Sequence, residues 1–367
     1  MKSNEKVRPI ALYLPQFHPI AENNNWWGEG FTEWINVAKS QPKFSSHYQP
    51  HIPADLGFYD LRLLDTMIEQ ANLAKAYGVF GFCYYHYWFN GKLLLEKPIE
   101  QMLKSGQPDM PFCLCWANEN WTRRWDGLEK NILIEQEYNL EDDYNHIKYL
   151  IQFFKDDRYI KINGKPVYMM YRSELHPQIN KAVEIWREEV KKAGFEDLYL
   201  IRVENFQRDL DPRAHSFDAG MEFAPDFSIR LNKQGKQNLF KYIFRKTLHN
   251  LRVLESPFLN NKIFDYNEIA DKMIAKENKN YKYFRCVFPS WDNSARRSKD
   301  AIIFVNSNPK KFSEWVSKAV DYTNQYFSGD EKILFINAWN EWAEGCHLEP
   351  DQKFGRQYLE ALRNSLH

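Results

Sequence analysis

Two glutamates three residues apart, Glu341 and Glu344, stand in the segment KILFINAWNEWAEGCHLEP, residues 332–350. The segment opens with the apolar run Ile333, Leu334, Phe335 and Ile336. It then changes abruptly to Asn337, Trp339, Asn340, Glu341, Trp342, Glu344 and Glu349. A buried strand that ends in amides, indoles and carboxylates delivers them to one rim of a sheet, and in parallel α/β proteins chemistry sits at the C-terminal rim. A spacing of three puts both carboxylates on one side of a helical turn. Paired carboxylates framed by flat rings are what making or breaking a glycosidic bond requires. The plain alternative, a surface turn with two solvated glutamates, leaves the indoles and amides unexplained. A Glu packed against Trp339 and Trp342 should hold its proton to higher pH than usual, as an acid working near neutrality needs.

Other residues could line a ligand site. Trp26, Trp27, Trp116, Trp121 and Trp125 offer flat faces suited to sugar C–H groups, although rim packing would use the same residues. Asn118, Glu119 and Arg123 suit sugar hydroxyls or an anionic substituent, and Trp291, Asp292 and Asn293 suit hydroxyls just beyond a strand. Trp339 and Asn340 join this set from the glutamate segment. His86 and His18 fit a substrate contact or a packed core histidine equally. Arg296 and Arg297 fit a carboxylate or phosphate contact, or a solvated loop pair. Glu204 fits the mouth of a barrel or a buried ion pair. Asp209-Leu210-Asp211 has the Asp-x-Asp form of a metal–diphosphate site, a triplet that also arises easily by chance. There is no CxxC, HExxH, GxGxxG or GxxxxGK[ST] pattern, so no metal or cofactor is expected.

The elements that must position these residues repeat one pattern: a short apolar run, a polar aromatic loop, then helical spacing. Strands are expected at 8–14, 79–84, 111–116, 167–171, 198–203, 220–223, 285–288 and from 332. Helices are expected at 61–77, 92–104, 140–154, 179–193, 309–327 and 354–366. Eight strands alternating with helices predict a single (β/α)8 TIM barrel over residues 1–367. Nearly every expected strand ends in Trp, Tyr, Asn, Glu or Arg, whereas the sequences entering the strands are ordinary. A doubly wound open sheet is the alternative, and it lacks a phosphate loop after any strand. Between 226 and 282 the pattern weakens into a basic, aromatic stretch, expected as an insertion or lid before the seventh strand.

Composition bounds the function class. The chain of 367 residues is 44% hydrophobic, enough for a large core, and its formal net charge is +0. A balanced charge argues against nucleic acid as the main partner. Aromatics reach 16%, with 12 Trp and 21 Tyr, which suits a face lined by rings. The start does not read as a secretory signal, and no apolar run is long enough for an integral membrane segment. Five Cys in apolar surroundings read as reduced thiols. A cytoplasmic location is the expectation.

The motif FINAWNEWAEG…EP resembles the last-strand motif of family 99 glycoside hydrolases. The runs IALYLPQFHPI, NNWWGEGFTEW, CWANENWTRRWDG and PSWDNSARR resemble WbsX-type proteins of bacterial polysaccharide and O-antigen clusters. The resemblance extends from about residue 8 to about residue 360 and is closer to the WbsX type. It implies a barrel acting on a glycan or glycolipid with retention at the anomeric carbon, for a surface polysaccharide of O-antigen or lipopolysaccharide type. Carried over, Glu341 would be the base that deprotonates the substrate's 2-hydroxyl, and Glu344 the general acid/base. The residues alone supply two carboxylates and do not choose between a direct nucleophile and neighbouring-group attack. Transferase and hydrolase both fit. A non-catalytic carbohydrate-binding barrel is the reading from another class, and it would keep the indoles without needing Glu344.

Overall fold

The computed structural model describes residues 6–123, 128–205, 210–234 and 257–366. The strands that build the central sheet are β1 (Arg8–Tyr13), β2 (Gly81–Phe89), β3 (Phe112–Trp116), β4 (Lys165–Met170), β5 (Tyr199–Glu204), β6 (Ala219–Glu222), β7 and β8 (Ile333–Ile336). β7 comes in two pieces, Tyr283–Phe284 and Cys286–Val287, on either side of Arg285. All neighbours are parallel, and β1 lies between β2 and β8. The two pieces of β7 close the ring: Tyr283 lies opposite Gly220 of β6, and Cys286 opposite Phe335 of β8. This is a (β/α)8 barrel.

The strands are apolar on both faces because one face fills the barrel and the other meets the helices. β8 is buried at every residue, as is nearly all of β1. Inside, the Tyr13 and Tyr84 rings stand 4.4 Å apart, and Phe82 packs 5.2 Å from Trp339. Two short helices, α1 (Ala21–Trp27) and α2 (Glu33–Lys39), occupy the loop after β1. The outer layer comprises α3 (Leu64–Ala76), α4 (Lys97–Ser105), α5 (Leu140–Phe154), α6 (Ile179–Lys192), α7 (Tyr266–Ile274), α8 (Pro309–Tyr326) and α9 (Gln357–Asn364). Asn139 caps α5 by accepting from the Asp142 amide, and Asn308 caps α8 by accepting from the Lys311 amide. Pro309 at the first turn of α8 reinforces that start.

Three expectations change. β2 runs on to Phe89, five residues past the expected end, and folds back so that Tyr87 pairs with Leu94 and Phe89 with Lys92. Asn90 and Gly91 make the turn with φ of 45° and 82°, the left-handed pair that an Asn-Gly hairpin uses. The helix expected at 92–104 therefore begins only at Lys97. After β3, Trp121–Arg123 pairs with Leu128–Ile134 in a second hairpin. The stretch 226–282 contains a strand, Lys262–Asp265, paired with Ile302–Val305, and then α7 between β6 and β7. α7 stands where a barrel's sixth outer helix belongs, so this part of the expected insertion is regular barrel. Residues 235–256 of it lie outside the described residues. Among the described residues no helix is long and apolar enough to cross a membrane, and the five cysteines are buried free thiols.

Candidate active site

Beyond β8 the chain leaves the barrel rim as a tight hairpin. Asn340 pairs with His347 and Glu341 with Cys346, in antiparallel register. The tip is one 3-10 turn, Trp342–Glu344, closed by Gly345 at φ 55°. Residues three apart eclipse in such a turn, which brings Glu341 and Glu344 to one side. Gly345 has a second constraint: a Cβ there would lie 3.0 Å from Asp292 Cβ and 3.1 Å from its amide nitrogen.

Both carboxylates meet one cation. Arg296 Nη1 is 2.7 Å from Glu344 Oε1, and Nη2 is 3.2 Å from Glu341 Oε2. A third carboxylate joins from α2, with Arg296 Nε 3.2 Å from Glu33 Oε2. Three carboxyls around one guanidinium cannot all ionise cheaply in a buried setting. Burial pushes Glu341 up to about 8; Arg296 opposes this, and Glu344 and then Glu33 reinforce it. Burial also raises Glu33, against the pull of Arg296. Arg296 itself, despite its own desolvation, is held cationic by Glu33, Glu344 and Glu341. The side chain of Glu344 keeps 21% exposure against 9% for Glu341, so Glu344 is the more open of the pair.

The glutamates and Arg296 line a cavity of about 530 Å³ at the C-terminal rim. Trp26, Trp27, Trp121 and Trp291 form its walls, and Glu119, Asn293 and Arg297 also line it. Trp121 stands edge-on to Trp26 at 5.5 Å and to Tyr87 at 5.4 Å. Glu119 is ion-paired to Arg172 at 2.6 Å.

Six other expected ligand contacts do not line this cavity. Trp339 is fully buried inside the barrel against Phe82. Asn340 clamps β8 to β1, accepting from the Leu14 amide at 2.7 Å and donating to the Leu14 carbonyl at 3.0 Å. Asn118 does the same between β3 and β4, donating to the Arg172 carbonyl and accepting from its amide, both at 2.8 Å. Asp292 is buried, receives Gln49 Nε2 at 2.7 Å, pairs with His47 at 2.7 Å, and accepts from the Ser294 amide. Trp116 donates to the Trp88 carbonyl and packs edge-on to His146, and His86 meets His146 at 2.9 Å. The two asparagines are interior because strand ends need their own polar groups satisfied before any ligand arrives, and the other four pack or pair within the fold. The Arg123 side chain and all of Trp125 lie outside the described residues.

Arg296, expected as an anion contact or a solvated loop residue, is central to the site, and Glu33, which no sequence motif singles out, joins it. Nothing local marks either one, since their partners stand 45 and 263 positions from Arg296. Tyr85 and Tyr87, also in the lining, were concealed in a uniformly aromatic run. Glu204 sits in a buried ion pair with Arg202 at 3.6 Å. Asp211 is at the surface, paired with Arg213, and Asp209 is outside the described residues. His18 is fully buried.

Hydrogen bonds and ring contacts hold the hairpin. The Asp292 amide donates to the Glu344 carbonyl at 2.6 Å, and Ser290 Oγ donates to the Gly345 carbonyl. Trp342 stacks on His347 at 3.7 Å and donates through Nε1 to Glu349 at 2.6 Å. Glu349 also accepts from Tyr59 and Gln70, and burial pushes its carboxyl up to about 7.

Known proteins share this sequence and shape. The model of the family "Glycosyltransferase WbsX" matches residues 9–362. Two curated proteins from strains of Xanthomonas campestris pv. campestris, each named "Uncharacterized protein WxcX", are 40% identical over 357 residues, 97% of this chain and 49% of theirs. The chain thus spans about half the length of the curated relatives it matches. Among solved structures, a "Glycoside hydrolase-like protein" aligns with TM-score 0.60 and 16% identity, covering 100% of this chain and 95% of that one. The GH99 endo-alpha-mannosidase from Bacteroides thetaiotaomicron aligns with TM-score 0.57 and 13% identity, covering 98% and 96%. Identities this low establish the shared barrel and nothing finer. With nearly its whole length matched, the chain belongs to the family described as Glycosyltransferase WbsX, and its barrel has the shape of the GH99 structure.

Proposed function

We propose that this protein makes or breaks glycosidic bonds of a bacterial surface polysaccharide, with Glu341 and Glu344 as its acid–base pair and retention at the anomeric carbon. One observation carries the reading: both carboxyls converge on Arg296 within a cavity walled by four indoles. The indoles present flat apolar faces to sugar rings, while Glu119 and Asn293 offer partners for hydroxyls.

The electrostatics fit distinct roles. Glu341, pushed up to about 8, is a stronger base than an ordinary carboxylate, and a general catalyst works best with its pKa near the operating pH. It would take the proton from the substrate's 2-hydroxyl as that oxygen attacks its own anomeric carbon. Glu344, more open to the cavity, would protonate the departing oxygen and later draw a proton from the incoming water or sugar hydroxyl. Hydrolysis and transfer differ only in which of those two nucleophiles arrives. Arg296 holds both carboxyls in place and balances their charge.

A screen of defined glycosides and nucleotide sugars, with product anomers followed by NMR, tests the reading. Retained configuration, and loss of turnover in both Glu341→Gln and Glu344→Gln, supports it. Full activity in both variants would overturn the catalytic assignment of Glu341 and Glu344, and no turnover of any glycoside or nucleotide sugar by the wild type would favour a carbohydrate-binding barrel.

A further inference from the structure

Behind the catalytic hairpin lies a second cavity of about 200 Å³, separated from the first by Trp291, which lines both. Three metal-ligating side chains converge in it: His51, His347 and Asp351, all buried, with ligand atoms within 4.8 Å of one another. They come from two places in the chain, His51 standing 296 residues before the His347–Asp351 pair, so no short spacing motif holds all three.

His347 Nδ1 lies 2.8 Å from the Glu349 carbonyl oxygen, which can only accept, so Nδ1 carries the proton. His347 Nε2 is then bare and points at His51 Nδ1, 2.8 Å away. A histidine whose outer nitrogen donates to a backbone carbonyl while the other faces a neighbouring ligand is how metal-binding histidines are oriented. Ring stacking fixes the planes: Trp342 on His347 at 3.7 Å and Tyr48 on His51 at 4.2 Å. Burial holds His347 below its ordinary value and His51 down to about 3, so both are neutral, the form a metal requires. Asp351 supplies the negative charge and is oriented by the Phe354 amide, which donates to Oδ1 at 2.6 Å. The Tyr48 and Tyr358 hydroxyls also line the cavity, Tyr48 beside the Asp351 carboxylate, and offer polar partners for a metal-bound water. Ser46 and Lys353, both exposed, give the cavity a mouth.

We propose that His51, His347 and Asp351 form a divalent transition-metal site, of zinc type, which pins the catalytic hairpin to the loop carrying His51. Two imidazoles and one carboxylate are a common three-ligand zinc set with room for water as the fourth ligand. A tetrahedral ion with Zn–N bonds of about 2.0–2.1 Å needs its nitrogens about 3.3 Å apart, so the two rings must separate by about half an ångström. The His51 proton shifts from Nδ1 to Nε2, a tautomer change that leaves the ring neutral. His347 pairs in register with Asn340, next to Glu341, so an ion there braces the hairpin from behind.

The test is calorimetric titration of the chelator-treated full chain with Zn2+ alone, alongside thermal unfolding. One ion bound per chain at micromolar concentration or below, with a raised melting temperature, is the expected result. His347→Gln and Asp351→Asn should each weaken binding at least tenfold while circular dichroism stays unchanged. Asp351→Asn keeps the acceptor for the Phe354 amide, so it decides the matter if His347→Gln misfolds. No binding to the wild type, or binding unaltered in Asp351→Asn, overturns the site. Neither outcome depends on the catalytic role of Glu341 and Glu344.

Discussion

Arg296 is the residue on which the candidate site turns. It is nearly buried with three carboxyls around it, an excess of negative charge that leaves a proton within the cluster near neutrality. If Glu341 is the base, kcat/KM rises with pH through about 8, and Glu341→Gln abolishes that limb together with about 10²–10⁴-fold of the rate. A limb that falls through the same pH would exchange the roles of the two glutamates. Arg296→Met leaves Glu33 buried without its cation, and breaking a buried pair in this way costs about 3–5 kcal/mol. Urea unfolding of that variant measures the loss. A further upward shift of the Glu33 and Glu341 carboxyls should accompany it, readable by carbon NMR of the labelled glutamates. Arg296→Lys should recover little, because one ammonium cannot reach three carboxyls from the fork that a guanidinium provides.

The element that carries both glutamates is the hairpin after β8, and its shape depends on Gly345. The left-handed φ of 55° and the contact with Asp292 both exclude a side chain. Gly345→Ala should destabilise the protein by about 1–3 kcal/mol and shift the Glu344 carbonyl away from the Asp292 amide. Denaturant midpoints give the first quantity. A drop in kcat larger than the change in KM would show that the turn positions Glu344 rather than merely holding the fold. This hairpin also shows the limit of local reading. The strand, its polar ending and the glutamate spacing are plain in residues 333–349, because burial on both faces demands a continuous apolar run. That Trp339 turns inward while Trp291 walls the cavity follows from barrel packing alone.

For the whole molecule, the buried titratable groups set a pH profile of stability. A carboxyl held above its ordinary 4.5 keeps its proton in the fold after the unfolded chain has released it, so stability falls as pH rises through that interval. Glu341, to about 8, and Glu349 and Glu204, each to about 7, contribute in this sense. Buried histidines act oppositely: below 6.5 the unfolded chain takes up protons that the fold refuses, down to about 4 for His18 and about 3 for His51 and His86. The two trends oppose each other between about 4.5 and 6.5, and only one acts on each side. The thermal midpoint should therefore peak between about pH 4.5 and 6.5, declining both towards pH 8 and towards pH 4. A midpoint that climbs steadily from pH 5 to pH 8 would contradict these assignments.

The sequence by itself determined the barrel, because eight apolar runs alternating with helical spacing leave few other ways to bury both faces of each strand. It also determined that aromatic and acidic residues gather at one rim, since they follow the strands and do not precede them. Tertiary structure decided which of them face the cavity. Asn118, Asn340 and Asp292 stand at strand ends beside residues that do line the cavity; the two amides instead satisfy backbone groups of neighbouring strands, and Asp292 binds its own turn and the His47 and Gln49 side chains. Only the closed barrel brings Glu33, Arg296 and Glu341 together, or sets His51 against His347, because contacts between side chains tens to hundreds of residues apart leave no periodicity in the chain.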